Sequence, residues 1–256
     1  MSKHKKPALA ADNGVEQEKS QKTFVFQRPK IDYDLSIREF PWSEKQKQFI
    51  QLAQDKETKV ILCKGMAGTS KSALAVFNSL KSLNAKKISE IQYVRVAAEA
   101  SDYSLGFLKG TLEEKFSPYT GPLMDKMNEF LPKNQIDRLL REERIKGVPL
   151  GFLRGLTFNV CNVIVDECQN LTRQDLLLVL TRLGKFSKIF LMGDISQSDV
   201  KNGAFNEIYN LFNDDASKAN GIHTFEFGKE DIFRNEILGY IIEKFQESPK
   251  DWKPRT

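Results

Sequence analysis

The sequence predicts an α/β fold in which a mainly parallel sheet is covered by helices on both faces. Two observations predict it. Short, nearly continuous apolar runs recur along the chain: "KVILCKG" (59–65), "IQYVRVA" (91–97), "CNVIVDE" (161–167), "SKIFLMGD" (187–194) and "HTFEFG" (223–228). Sequence with helical spacing separates most of them, and strands that are apolar throughout, rather than alternating, are those buried on both faces of a parallel sheet. Ligands of such sheets sit at the carboxyl ends of the strands. Three of the runs end there in chemically loaded residues, namely Gly65, Asp166 with Glu167, and Asp194.

Taken in chain order, residues 1–35 are rich in Lys, Gln, Glu and Ser with little apolar periodicity and read as a mobile basic tail. Residues 36–247 read as one domain, and 248–256 as a second tail. After the turn at Gly65, residues Ala73, Val76, Phe77, Leu80 and Leu83 recur at helical spacing. Residues of about 101–157 break the alternation with helical, charged sequence such as "NQIDRLLREERIKG" and read as a helical insertion carried by the core. After "DECQN", Thr172 with Asp175 makes a capping-box start, Leu176, Val179, Leu180 and Leu183 line a face, and Gly184 stands where a C-cap glycine would.

A chain of 256 residues, 40% hydrophobic and 29% charged, is long enough to bury a full core. No run approaches the roughly 20 apolar residues that cross a bilayer, and no apolar stretch of signal-peptide length follows "MSKHKKPALA", so a cytoplasmic location is expected. Three cysteines without CxxC spacing and two distant histidines argue against a metal centre or a disulfide framework. The net charge of +5 fits a polyanionic partner, as it fits many proteins without one.

The chemistry is concentrated in three strand ends. "GMAGTSKS" (65–72) fills every demand of the phosphate-loop pattern G-x-x-x-x-G-K-[ST] except one, where Ser70 replaces the second glycine. A strand entering a glycine-rich turn and then a helix aims backbone N–H groups and the helix N-terminus at phosphates. Residues Gly65, Met66, Ala67, Gly68, Thr69 and Ser70 would form that cradle. Lys71 would neutralise the β- and γ-phosphates, and Ser72 would coordinate Mg²⁺. "VIVDECQN" (163–170) ends in adjacent carboxylates. Asp166 is placed to hold Mg²⁺ and Glu167 to orient and deprotonate water, although a plain polar strand end reads the same way. "LMGDISQSD" (191–199) presents Gln197, whose amide could sense the γ-phosphate.

Together these segments resemble the PhoH-like family of superfamily 1 ATPases, phosphate-starvation-inducible proteins also common in phage genomes. The resemblance runs over roughly 40–246 and rests on "GMAGTSKSALA", "VRVAAEASDYSLGFLKGTLEEKFSPYTGPL", "FLRGLTFNVCNVIVDECQNLTRQDLLLVLTRLGKFSKIFLMGDISQSD" and "FGKEDIFRNEIL". It implies a RecA-like P-loop NTPase core, ATP and Mg²⁺ as cofactors, ATP hydrolysis, and coupling to single-stranded RNA or DNA, with RNA favoured. It also implies that Gln46 in "PWSEKQKQFI" reads the adenine, that Arg95 and Arg154 contact nucleic acid, and that Arg234, or alternatively Arg182, approaches the γ-phosphate. The chain departs from the family pattern at Met66, Ser70, Leu156 and Asn235. Only one set of motifs is present. A homo-oligomer in which Arg182 or Arg234 reaches a neighbouring subunit is therefore expected. The alternative is a nucleotide-gated binding or scaffold protein with negligible turnover, favoured by Ser70 and Leu156.

Overall fold

The computed structural model describes residues 28–95, 112–194 and 203–232, together with positions 240 and 244. Six strands form one sheet in the order β3-β2-β4-β5-β1-β6. They are β1 (Val60–Lys64), β2 (Glu90–Arg95), β3 (Ile145–Gly147), β4 (Cys161–Asp166), β5 (Lys188–Gly193) and β6 (Ile222–Glu226), and every pairing is parallel. The expected α/β architecture is therefore present, and each of the five apolar runs supplies a strand.

Alternate residues of the central strands feed two cores. On one face Ile61, Cys63, Ile164, Phe190 and Met192 pack under α1 (Glu44–Gln54), α2 (Lys71–Asn84) and α3 (Leu112–Phe130). On the other, Leu62, Val163, Val165, Ile189 and Leu191 pack under α5 (Arg173–Leu180) and α6 (Phe205–Leu211). The period of two in a strand sends neighbours to opposite faces, and both faces are covered, so the strands read as unbroken apolar runs. Helix α2 is buried along most of its length, with Ala73 through Leu80 all inside. Its apolar stripe is consequently wider than one amphipathic face.

Strand order positions the site. Because β5 lies between β1 and β4, the ends of all three meet at one carboxyl edge, and the turn after β1 stands beside the ends of β4 and β5. The Gly65 N–H donates to the Gly193 carbonyl (3.2 Å) and ties the start of that turn to the end of β5.

Three expectations need correction. Residues 28–35, assigned above to the tail, belong to the body: Ile31 and Leu35 are buried in the first core, and the Arg28 guanidinium donates to the Glu142 carbonyl (3.0 Å). The stretch of about 101–157 is not wholly helical. Helix α4 (Lys133–Arg141) stops inside "NQIDRLLREERIKG", and β3 follows as the sheet's edge strand, with Ile145 opposite Ile91. A three-residue strand with one buried apolar side chain gives no periodicity to detect. Helix α5 has the expected Thr172–Asp175 capping box, but it ends at Leu180 with Thr181 as its cap. Gly184 is instead required by contact, since a Cβ there would collide with the Phe158 carbonyl and the Asn159 side chain. No described helix is long and apolar enough to cross a membrane.

Candidate functional site

A cleft of about 480 Å³ opens at the carboxyl edge, lined by Ala67, Gly68 and Ser70 to Ala73, by Asp166, Glu167 and Gln169, and by Met192 to Asp194. Phe40 and, from α3, Lys126 and Glu129 close its outer wall. The predicted phosphate loop forms the floor. Gly68 has φ +84°, and Ser70 occupies the left-handed region (φ 65°, ψ 17°) as the residue preceding α2. The Thr69 hydroxyl donates to the Met66 carbonyl (2.8 Å) and pins the loop from inside. Gly65 is needed for close approach, since a Cβ there would lie 2.9 Å from that of Phe227.

Lys71 lies back on its own loop, its ammonium donating to the carbonyls of Gly65 (2.6 Å) and Met66 (2.8 Å). Burial lowers its pKa below the ordinary lysine value, and the carboxylates of Asp194, Asp166 and Glu167 oppose that shift. A buried cation held mainly by neutral carbonyls is a receptor for an anion that can displace them.

Asp166 and Ser72 meet across the cleft floor. The Ser72 hydroxyl donates to Asp166 Oδ1 (2.9 Å), the Glu167 N–H donates to the same oxygen (3.1 Å), and the Tyr93 hydroxyl donates to Oδ2 (2.9 Å). A hydroxyl and a carboxylate oxygen at this spacing are hard ligands of the kind Mg²⁺ takes. No cluster of three or more His, Cys, Asp or Glu side chains suited to a metal exists among the described residues. That combination fits an ion that takes most of its ligands from substrate phosphates and water, the ordinary habit of Mg²⁺.

Glu167 is held in an unusual way. Its backbone has φ 59°, a left-handed conformation at a non-glycine residue, and its Oε2 accepts from Gln169 Nε2 (2.7 Å). The other end of that amide, Oε1, accepts the Asp194 N–H (3.0 Å). Gln169 is 3% exposed and so bridges the ends of β4 and β5 beneath the cleft. Sequence reasoning assigned no role to Gln169 or Tyr93. A glutamine two residues past a strand-end carboxylate was a readable signal for the first, whereas nothing in "IQYVRVA" distinguishes Tyr93 from a core tyrosine.

Gln46, Arg154 and Arg182 do not gather there. Gln46 is buried in the first turn of α1 as the third residue of a capping box, Oε1 accepting the Ser43 N–H (3.0 Å), and it does not line the cleft. Arg154 is exposed beyond the turn at Leu150–Leu153. Arg182 follows α5, which has run back to the amino edge of the sheet. There the Arg182 carbonyl accepts from Phe158 N–H (2.8 Å) and its guanidinium donates to the Leu156 carbonyl (3.4 Å). Arg95 ends β2 in register with Asp166, and its side chain, like Gln197 and Arg234, lies outside the described residues. The three cysteines are buried. Burial pushes the thiols of Cys63 and Cys161 up to about 12 and that of Cys168 well above its ordinary value, so none offers a thiolate.

Residues 39–246 match the family model described as PhoH-like protein. A PhoH-like protein of Bacillus subtilis is 36% identical over 183 residues, covering 72% of this chain and 57% of that protein. One from Mycobacterium tuberculosis is 33% identical over 205 residues (80% and 57%), and Protein PhoH of Escherichia coli is 30% identical over 200 residues (76% and 54%). The chain thus spans little more than half the length of these relatives. Among solved structures, a chain from a study of DNA unwinding at forked duplexes by two coordinating Pif1 helicases aligns at 18% identity and a TM-score of 0.39. The alignment covers 83% of this chain and 50% of that one.

Proposed function

This chain belongs to the PhoH-like family, and from that premise we propose that it binds Mg²⁺-ATP in the carboxyl-edge cleft and hydrolyses it to ADP and phosphate. The observation that carries the reading is the convergence of a phosphate loop, a hydroxyl–carboxylate pair and a second carboxylate on one cleft. Backbone N–H groups of residues 67–70 and the N-terminus of α2 receive phosphate oxygens, and Lys71 leaves its loop carbonyls for them. Ser72 and Asp166 would hold Mg²⁺, which when bound would supply positive charge against the phosphates. Among the described residues, Glu129, Asp166, Glu167 and Asp194 outnumber Lys71 and Lys126 around the cleft, so a nucleotide arriving with its divalent cation suits this lining better than the bare polyanion.

Glu167 accepts the proton of the attacking water. Gln169 keeps that carboxylate pointed into the cleft. Gln197 senses the γ-phosphate, Arg234 offsets transition-state charge, and Gln46 contributes to adenine recognition. Arg182, at the opposite edge from its own phosphate loop, serves only across a subunit boundary, which calls for a head-to-tail homo-oligomer. Turnover is coupled to single-stranded nucleic acid, RNA rather than DNA, with Arg95 and Arg154 as contacts.

A second reading, a nucleotide-gated binding protein with negligible turnover, draws on Lys71, whose ammonium is already engaged by its own loop. Steady-state ATPase measurements with and without single-stranded RNA and DNA, alongside Lys71→Ala, separate the two. Turnover stimulated by RNA and lost in the variant supports hydrolysis. Stoichiometric ATP binding without turnover supports the second reading.

A further inference from the structure

Asp166, the carboxylate on which the proposed metal site depends, accepts from three donors, Ser72, Tyr93 and the Glu167 N–H, and of these only Ser72 belongs to the phosphate loop. Ser72 takes Oδ1 of Asp166, and Tyr93 takes Oδ2. Tyr93 is 2% exposed on β2, the strand beside the edge strand β3, and stands in register with Ile164 of β4. Side chains two residues apart share a strand face, so Asp166 is the next residue on Ile164's face, about 6.6 Å further along. A tyrosine rooted opposite Ile164 spans that step with its ring in the core and its hydroxyl at the carboxylate; a phenylalanine would fill the same space without the donor.

We propose that Tyr93 is a positioning residue that fixes Asp166 as a one-oxygen ligand and thereby sets the divalent-ion preference of the site toward Mg²⁺ over Ca²⁺. With Oδ2 engaged by the phenol, Oδ1 alone faces Ser72 and the cleft. A single-oxygen carboxylate suits the compact octahedral shell of Mg²⁺, whereas Ca²⁺ takes a larger shell and readily accepts both oxygens of one carboxylate. Partners that orient a metal-binding side chain typically carry 10–100-fold of metal affinity. The inference rests on the nucleotide-site reading, and the following experiment separates their failures.

The affinity of a non-hydrolysable ATP analogue is measured by calorimetry in EDTA, in Mg²⁺ and in Ca²⁺, for the wild-type protein, Tyr93→Phe, Asp166→Asn and the double variant. In Tyr93→Phe the gain in affinity conferred by Mg²⁺ is expected to shrink about 10–100-fold. The gain conferred by Ca²⁺ should shrink less or grow, and the affinity in EDTA should hold. In the Asp166→Asn background, Tyr93→Phe should add no further loss of the Mg²⁺-conferred gain, since the carboxylate ligand that Tyr93 positions is already gone. A purely structural effect would lower all three affinities together and survive in the Asp166→Asn background; that pattern overturns the inference. So does a wild-type-like Mg²⁺ and Ca²⁺ response in Tyr93→Phe. Wild-type protein that binds the analogue without regard to divalent ions overturns the inference alone, and wild-type protein that fails to bind the analogue in any of the three media overturns the nucleotide-site reading and the inference with it.

Discussion

Replacing Ser70 with glycine relieves a backbone strain carried by the folded phosphate loop. Ser70 holds φ 65° and ψ 17°, and its side chain makes no capping hydrogen bond to α2. A non-glycine residue in the left-handed region costs about 1–2 kcal/mol. Glycine returns about 0.4–1 kcal/mol of that through the greater freedom of the unfolded chain. The net gain is about 0–1.6 kcal/mol, which at roughly 2–4 °C per kcal/mol for a chain of this size raises the melting temperature by a few degrees. A backbone conformation that belongs to the folded loop carries its cost in the free and the bound protein alike, so that cost cancels in binding. Nucleotide affinity in Ser70→Gly should therefore stay within about threefold, or about 0.7 kcal/mol. Thermal melts and nucleotide titrations of Ser70→Gly and Ser70→Ala check this, with Ser70→Ala expected to keep the strain and gain no stability. A tenfold gain in affinity with no change in melting would refute the reasoning, since it would mean that the left-handed turn forms only when phosphate binds.

Glu167→Gln should lower ATP turnover by about 10²–10⁴-fold, the range of a lost general base, while the nucleotide dissociation constant holds; turnover at the wild-type rate removes Glu167 from that role. Gln169→Ala takes away both the donor to Glu167 and the acceptor of the Asp194 N–H. It should cost about 1–3 kcal/mol in urea unfolding for the buried amide group and depress kcat more than KM; a fall in KM-limited binding alone would speak against its hold on Glu167. Lys188 donates to the carbonyls of Ala53 and Asp55 at the end of α1, and burial lowers its pKa from 10.5 to about 8. Between those values the unfolded chain holds more protons, so wild-type stability should rise with pH from about 8 to 10.5 relative to Lys188→Met, with the burial penalty fully present below pH 8. Urea melts at pH 7, 9 and 10.5 measure the difference, and a flat difference would show that the ammonium is not held against its burial.

The fold was legible wherever the physics was local. Runs such as "CNVIVDE" announce buried parallel strands because both faces of the sheet are covered, and Thr172 with Asp175 announces a helix start because both halves of a capping box lie within four residues. Legibility failed where a partner distant in sequence decides. Ile145 becomes a strand residue only because Ile91 offers it an open edge, and Gly184 is fixed by Asn159 rather than by the helix it follows. The site divides in the same way. Lys71, Ser72, Asp166 and Glu167 were readable as motifs and converge on one cleft. Tyr93 was not, because a buried tyrosine means nothing until its hydroxyl is seen against Asp166; Gln169 offered a signal two residues past a strand-end carboxylate, but its hold on Glu167 and Asp194 shows only in the fold.

Those internal partners bear on how the site works. Lys71 rests on Gly65 and Met66, Ser72 on Asp166, and Glu167 on Gln169, so each reactive group already has a neighbour that occupies it. Each of these groups is met by a protein partner, and buried polar groups are costly only when unmet. Ligand binding then becomes an exchange. Phosphate must replace carbonyls at Lys71, and a divalent ion must come between Ser72 and Asp166. The Gln169–Glu167 and Tyr93–Asp166 bonds need not be exchanged, because each donor approaches from beneath the cleft. The groups that change partners are thus those on the mobile side of the reaction, and the two unassigned side chains are the fixed reference against which they move.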